Sequence, residues 1–214
     1  MKIYHGSKNV IKEPRVKGSN PTNDYGPCFY MTKDFKNACI WACRNDFTGF
    51  VNVYETDLRG LQILDLTDKN KYSVLNWIAI LLKFREFDRV FERLNRARID
   101  EIIQRYYIDV NDYDLIIGYR ADDAYFRFPK EFISGNISIE DLEEVFKLGS
   151  LGIQYAFVSE KAINRLHFVE ATLASEKYVG MYYSQVLQAT SIFDELVKKS
   201  IDSNKGKRIG DLLK

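Results

Sequence analysis

Three short segments interrupt apolar runs with polar or aromatic groups that could do chemistry. "YHGS" at residues 4–7 brings an imidazole and a bare backbone to the end of a strand. "YGPCFYMT" at residues 25–32 comes directly before a helix, and "IQYAF" at residues 153–157 carries one polar residue. A buried polar group costs free energy unless it is hydrogen-bonded, so each group needs a partner. We therefore expect the three segments to line one ligand-binding cleft.

Each candidate residue also has an ordinary structural explanation. A lone histidine such as His5 is more often a hydrogen-bonded core or edge residue, and Tyr30 is one of 14 tyrosines. Gln154 alone is typical of a strand residue that faces solvent. Their combination favours a ligand site, whereas the sequence contains no P-loop, Gly-x-Gly-x-x-Gly turn, nucleophile elbow or Cys-x-x-Cys pair.

The cysteines do not indicate a metal site. Cys39 and Cys43 lie four residues apart on a predicted helix, which could hold two ligands, but neither histidine stands in ligand spacing with them. We expect both to be small buried hydrophobic residues, with no metal bound. An odd count of three cysteines, no signal-peptide pattern and no long apolar run predict a reduced, cytoplasmic protein that does not cross a membrane.

The order and spacing of the three segments resemble the ADP-ribosyltransferase superfamily, and within it the poly(ADP-ribose) polymerase-like, or diphtheria-toxin-like, His–Tyr–Glu branch. That branch carries His-Gly-Ser on one strand, a Tyr strand directly before a helix and a Glu on a later strand. The chain is also similar to a bacterial family of ADP-ribosyltransferase-like proteins with an "FGPGFY-T" element, in which "QY-F" replaces the Glu segment. The resemblance covers roughly residues 1–60 and 113–170.

This resemblance implies an NAD-dependent mono-ADP-ribosyltransferase that modifies a protein or nucleic-acid acceptor and releases nicotinamide. It implies that His5 hydrogen-bonds the adenosine-side ribose and that Tyr30 stacks on the nicotinamide ring. The Gly6 backbone would hold the nicotinamide carboxamide, since a residue without a side chain lets the ligand come close. The implied site consists of catalytic His5, Tyr30 and Gln154, NAD-binding His5, Gly6, Ser7, Tyr25 and Tyr30, and acceptor-binding Asp122 and Asp123.

Two departures from the family pattern bear on activity. Gln154 stands in place of the catalytic Glu and carries no charge, whereas cleavage of the nicotinamide–ribose bond develops positive charge on the ribose. Charge-assisted hydrogen bonds contribute about 1.5–3 kcal/mol and neutral ones roughly 1 kcal/mol. If this difference is the whole effect of the missing charge, the rate falls about ten- to a hundredfold. Asp122, Asp123 or Glu160 could supply the charge, although the two aspartates are also typical of a plain turn. Cys28, in place of the usual Gly, brings a thiol close to the predicted pocket.

The composition sets limits on the fold and on the partners. A chain of 214 residues with 46% hydrophobic residues can bury a sizeable core. Its net charge of +1 argues against nucleic-acid binding that depends on the overall charge of the protein. The first 20 residues are an exception, with five basic residues against one acidic residue. This local excess favours a phosphate-bearing ligand, and a solvated loop explains it equally well.

The elements that must position these residues follow from hydrophobic periodicity. Strands are predicted within residues 1–66 and 113–159, with a helical block at about 73–107 between them and an amphipathic helix at 181–200. Because strands and helices do not strictly alternate, this order predicts an α+β fold: a split, ADP-ribosyltransferase-like β-sheet core with a helical insertion and a C-terminal helix. We expect one domain at residues 1–175 and a helical extension at 176–214.

Two alternatives to an enzyme stay open. The chain could be a non-catalytic NAD or ADP-ribose binder, which Gln154 supports, or an interaction module whose surface is the helical block at 73–107. For an enzyme, the resemblance points to a bacterial toxin or defence effector, with a partner antitoxin that docks on residues 182–201.

Overall fold

The computed structural model describes residues 1–44, 47–121, 126–147, 152–203 and 205–213. In these ranges the chain forms seven strands and eight α-helices. The strands are β1 (Lys2–Ser7), β2 (Phe29–Met31), β3 (Phe50–Glu55), β4 (Ile63–Asp65), β5 (Leu115–Tyr119), β6 (Ile153–Phe157) and β7 (His167–Leu173). The helices are α1 (Phe35–Ala42), α2 (Val74–Phe84), α3 (Arg89–Tyr106), α4 (Arg127–Ser134), α5 (Ile139–Lys147), α6 (Glu160–Ile163), α7 (Met181–Ser203) and α8 (Ile209–Leu212).

The strands form two sheets. β1, β3 and β7 make an antiparallel three-stranded sheet with β3 in the centre. β2, β6, β5 and β4 make a four-stranded sheet in that order, in which β4 and β5 run parallel and the other pairs run antiparallel. Strands and helices do not alternate strictly along the chain, so the predicted α+β class is confirmed.

Among the described residues, one isolated backbone bridge joins the two sheets. Tyr4 in β1 and Thr32, directly after β2, exchange two backbone hydrogen bonds of 2.8 and 2.9 Å. The bridge is isolated, so β1 and β2 do not continue as a ladder on either side of it. The β-core is therefore split: Tyr54 of one sheet packs with Phe29 and Phe157 of the other, and a cleft opens beside the bridge.

The main hydrophobic core covers one face of the four-stranded sheet. Leu64, Ile116 and Ala156 are cross-strand neighbours on that face, and they pack in one cluster with Trp77 and Ile78 of α2. Every α2 residue from position 77 to position 82 is buried. The helical block at 73–107 is thus part of the core, and its exposed surface belongs to α3.

The sequence pattern does not predict three elements that the structure contains. α4 buries Phe128 and Phe132 and ends at Gly135, whose φ of 86° is a conformation that glycine adopts readily. β7 is an edge strand with most of its residues exposed, so it lacks the alternation on which strand prediction depends. α8 has four residues, too few for a periodic pattern.

The C-terminal segment packs into the main hydrophobic core through Ala189, Phe193 and Ile209, and an arginine adds hydrogen bonds to it. α7 contains the whole of the predicted helix at 181–200. After it, the Arg208 guanidinium donates hydrogen bonds to the carbonyl oxygens of Gly135, Asn136 and Ser200. None of the described helices combines the length and the hydrophobicity needed to cross a lipid bilayer.

Asp114, just before β5, ties three segments together. Its carboxylate accepts hydrogen bonds from the Gln62 backbone N–H at 2.9 Å, the Ser159 hydroxyl at 2.6 Å and the Lys161 ammonium at 2.7 Å. Burial works against the charge, but these hydrogen bonds hold the pKa of Asp114 at about 2, below the ordinary 3.8. Because the folded pKa is the lower one, the stabilisation is complete above about pH 4 and is lost as the pH falls toward 2.

We predict that Asp114→Asn lowers the free energy of unfolding by about 2 kcal/mol at pH 7, and that its difference from wild type shrinks as the pH approaches 2. Urea titrations across this pH range measure the difference. Asp112→Asn, at an exposed position two residues away, is the matched control. A difference that stays constant with pH would contradict the assignment.

Candidate functional site

A cleft of about 530 Å³ opens where the two sheets part, a size in the usual range for small-molecule sites. Its walls come from β1, β2 and β6, from α1 and from the loop that precedes β2. The C-terminal end of α2 adds Arg85, and the start of α7 adds Tyr182. Of the residues predicted from the sequence, those that line this cleft are His5, Gly6, Ser7, Tyr30 and Gln154.

His5 faces the cleft from β1 as a neutral imidazole. Its Nδ1 lies 2.7 Å from the Tyr30 carbonyl oxygen, which can only accept, so Nδ1 carries the proton and donates it. The ring stacks on Phe29 with 4.4 Å between centroids. Burial lowers the pKa of His5 below 6.5, and the hydrogen bond to Tyr30 offsets part of this effect. Nε2 therefore keeps its lone pair and can accept a hydrogen bond from a ligand.

Gly6 and Ser7 continue β1 along the wall of the cleft. A Cβ on Gly6 would lie 2.1 Å from the Ala38 carbonyl oxygen of α1. Close packing of α1 on β1 therefore requires glycine at this position. This packing, and not the close approach of a ligand, accounts for the missing side chain. The Ser7 hydroxyl donates to the Asn9 carbonyl at 2.6 Å and accepts from Asn52 at 3.0 Å, so it can offer a ligand a lone pair.

Of the two predicted tyrosines, Tyr30 faces the cleft and Tyr25 does not. The Tyr30 hydroxyl donates to the Gly26 carbonyl at 2.7 Å and accepts from the Tyr25 N–H at 3.0 Å, which fixes the ring in the wall. Tyr25 is fully buried, its ring lies 6.5 Å from that of Tyr30, and its hydroxyl donates to the Tyr119 carbonyl at 2.7 Å. The predicted contact between Tyr25 and NAD is therefore corrected: Tyr25 is a core residue that supports Tyr30.

Gln154, on β6, points its amide group at a buried carboxylate. Its Nε2 donates to Asp24 Oδ2 at 2.8 Å and to the Tyr119 carbonyl at 3.2 Å. Both partners are acceptors, so the amide nitrogen must face them, and both of its protons are engaged. Oε1 is the atom that remains to accept a hydrogen bond from a ligand.

Asp24, in the loop before β2, belongs to the site although no sequence motif indicates it. It is 7% exposed and lines the cleft. Besides the bond from Gln154, its Oδ2 accepts a hydrogen bond of 2.8 Å from the Ala121 N–H, and its Oδ1 lies 3.6 Å from the Arg85 guanidinium. Burial raises the pKa of Asp24, and these hydrogen bonds and the charges of Arg85 and Arg120 oppose the rise.

Positive charge surrounds this carboxylate. Among the described residues that line the cleft, four are cationic (Lys8, Arg44, Arg85 and Arg120) and one is acidic. The guanidinium groups of Arg44 and Arg120 lie 4.7 and 3.9 Å from the centre of the Trp41 ring, within cation–π distance. Of the five basic residues near the N-terminus, Lys8 alone lines the cleft. Most of the cleft's positive charge therefore comes from the three arginines, which the sequence did not indicate.

The remaining candidates fall elsewhere. Asp122 and Asp123 lie outside the described residues. Glu160 begins α6, away from the residues that line the cleft. Cys28 is buried, its thiol donates to the Tyr25 carbonyl at 3.3 Å, and burial raises its pKa to about 12, so it is a core residue and not a nucleophile in the pocket. In the part of the chain that the structure describes, no group of three His, Cys, Asp or Glu residues could hold a metal ion.

The cleft thus combines a neutral imidazole acceptor, the ring of Tyr30, a buried carboxylate and several cations. An aromatic ring in the wall suits a planar heterocycle, and guanidinium groups suit phosphate oxygens. The acceptor atoms suit hydroxyl groups of a sugar. Such an arrangement fits a nucleotide better than a purely apolar molecule.

A family model described as a protein of unknown function (DUF3990) matches residues 1–168. No curated protein and no solved structure matches the chain. The matched region contains β1, β2 and β6, so it includes every strand that carries a predicted site residue. The matched region also contains the helical block at 73–107. The resemblance to ADP-ribosyltransferases does not extend to this block.

We predict that Gly6→Ala destabilises the fold by about 3 kcal/mol, because the added methyl group meets helix backbone that cannot turn away. Thermal unfolding followed by circular dichroism measures the loss. Gly210→Ala is the matched control, since a Cβ there meets no atom within 4 Å. Equal melting temperatures for Gly6→Ala and wild type would show that α1 does not pack on β1 in this way.

We predict that Cys28 resists iodoacetamide at pH 8 in the folded protein, since with a pKa of about 12 roughly one molecule in ten thousand carries the thiolate. Peptide mass mapping after a short exposure measures the labelling. The same exposure in guanidinium chloride is the control and should label all three cysteines. Rapid labelling of Cys28 in the folded protein would contradict its placement in the core.

Proposed function

We propose that this chain, which belongs to the DUF3990 family of proteins of unknown function, binds NAD in its cleft and transfers ADP-ribose to a protein or nucleic-acid acceptor. The observation that carries the proposal is the convergence of His5, Tyr30 and Gln154, from three separate strands, on one cleft of nucleotide size. The order of these residues in the chain is the one that the ADP-ribosyltransferase resemblance requires.

Three features of the cleft support NAD as the ligand. The neutral His5 offers Nε2 as an acceptor for a ribose hydroxyl. The Tyr30 ring, held in place by its own hydroxyl, offers a surface for the nicotinamide. Four cationic side chains among the described lining residues suit the two negative charges of the pyrophosphate.

A second candidate function is a non-catalytic NAD or ADP-ribose binder. The observation in its favour is that both amide protons of Gln154 are already engaged, so this residue offers a ligand no charge and no donor. The roles of toxin or defence effector, and of an antitoxin that docks on residues 182–201, stay predictions from the resemblance. α7, which contains that segment, exposes Leu187 and Ile201.

We predict that purified wild-type protein is stabilised by millimolar NAD and turns NAD over when acceptors are supplied. NAD labelled in its adenosine half, incubated with protein and nucleic acid, separates four outcomes. Label on protein, label on nucleic acid, or free ADP-ribose indicates an enzyme. A thermal shift with no turnover indicates the binder, and neither effect would contradict both functions.

The histidines supply a matched pair of variants for the same assay. We predict that His5→Ala weakens NAD binding about tenfold, the equivalent of one lost hydrogen bond. His167→Ala changes the chain's other histidine, which is exposed at the start of β7, and should leave binding unchanged. Equal losses in the two variants would contradict NAD binding at His5.

A further inference from the structure

We propose that Asp24 is the carboxylate that faces the nicotinamide ribose, and that Gln154 is a positioning residue that holds it there. The inference rests on the proposed function and names the group that supplies the negative charge that Gln154 lacks. The sequence alone offers Asp122, Asp123 or Glu160 for this charge, but Glu160 does not line the cleft and the two aspartates lie outside the described residues. Among the residues that the structure describes, Asp24 is the one acidic side chain that lines the cleft.

The two oxygens of Asp24 have different surroundings. Oδ2 accepts two hydrogen bonds of 2.8 Å, from the Ala121 N–H and from Gln154 Nε2. Oδ1 has a longer contact, 3.6 Å, with the Arg85 guanidinium. The first oxygen fixes the carboxylate, and the second has lone-pair capacity left for a hydroxyl in the cleft. Burial raises the pKa of Asp24, and the two N–H donors and the Arg85 guanidinium oppose this rise by stabilising the ionised form.

Hydrogen bonds also fix the orientation of the Gln154 amide group, so its nitrogen and oxygen cannot exchange places. Its Nε2 also donates to the Tyr119 carbonyl, which accepts further hydrogen bonds from the Tyr25 hydroxyl and from Trp77 Nε1. A glutamate at position 154 would place a second carboxylate at 2.8 Å from the first, where like charges repel. Glutamine at 154 is therefore matched to aspartate at 24, and the pair carries one negative charge.

This charge has a direct use in the proposed transfer. The bond between ribose C1′ and the nicotinamide nitrogen breaks, and its electron pair leaves with nicotinamide, which becomes neutral. A lone pair of the acceptor forms the new bond to C1′, and the acceptor's proton passes to water. Positive charge that builds on the ribose in between is stabilised by ionised Asp24, which is unchanged at the end.

The test compares nicotinamide release and NAD binding in matched variants. Asp24→Asn keeps an oxygen that can accept from Ala121 and Gln154 but removes the charge, so it should fold. We predict that kcat falls about a hundredfold while the Kd for NAD, measured by calorimetry, changes less than threefold. Asp57→Asn, on an exposed pair with Arg59, is the control and should match wild type.

A charge-swapped variant separates the charge from the shape of the site. Gln154→Glu alone should release nicotinamide more slowly than wild type, because it crowds two carboxylates. Asp24→Asn combined with Gln154→Glu keeps one carboxylate and one amide but moves the charge to position 154, where it faces the Tyr119 carbonyl oxygen, which cannot donate. We predict that this double variant stays as slow as Asp24→Asn, and a full recovery of kcat would show that the position of the charge is immaterial, which would overturn the inference.

The outcomes distinguish failure of the inference from failure of the proposed function. If wild type turns NAD over and Asp24→Asn does so at a similar rate, the role of Asp24 is wrong and the function stands. If Asp24→Asn loses binding together with turnover, Asp24 holds the site together and does not supply the charge. A gain of turnover in Gln154→Glu alone would also overturn the inference. A wild-type protein that neither binds nor cleaves NAD would contradict both the inference about Asp24 and the proposed function.

Discussion

The cleft depends on the contact between the two sheets, in which two backbone hydrogen bonds between Tyr4 and Thr32 are reinforced by apolar packing of Tyr54 on Phe29. His5 directly follows Tyr4, and its imidazole adds a bond to the Tyr30 carbonyl, two residues before Thr32. Tyr30 in turn pairs with Ala156 on β6, two residues from Gln154. Together these contacts fix the register of β1, β2 and β6, and so determine which side chains meet in the cleft.

A buried polar network forms the floor of this cleft. Asp24, Gln154 and the Tyr119 carbonyl are linked by hydrogen bonds, and Tyr25 and Trp77 donate to the same carbonyl from the core. Such a network is costly unless every member is satisfied, so it stabilises one arrangement strongly. Asp24 and Gln154 also line the cleft, so this structural network lies within reach of a ligand there.

Much of the fold could be predicted from the sequence, and the site in part. The strands that carry His5, Tyr30 and Gln154 follow from alternation and from the motifs around them. Tyr25 could not be assigned correctly, because a one-residue difference in a loop decides whether a ring faces the cleft or the core. Asp24 and the arginines gave no signal, since they lie in a polar loop or near the ends of helices and strands, and tertiary packing alone brings them together.

A crystal structure with a non-hydrolysable NAD analogue tests the central claim most directly. The account predicts the nicotinamide ring against Tyr30, a ribose hydroxyl within hydrogen-bonding distance of Asp24 Oδ1, and a ribose hydroxyl that donates to His5 Nε2. An analogue bound elsewhere on the protein, or a cleft still empty at saturating concentration of the analogue, would contradict it.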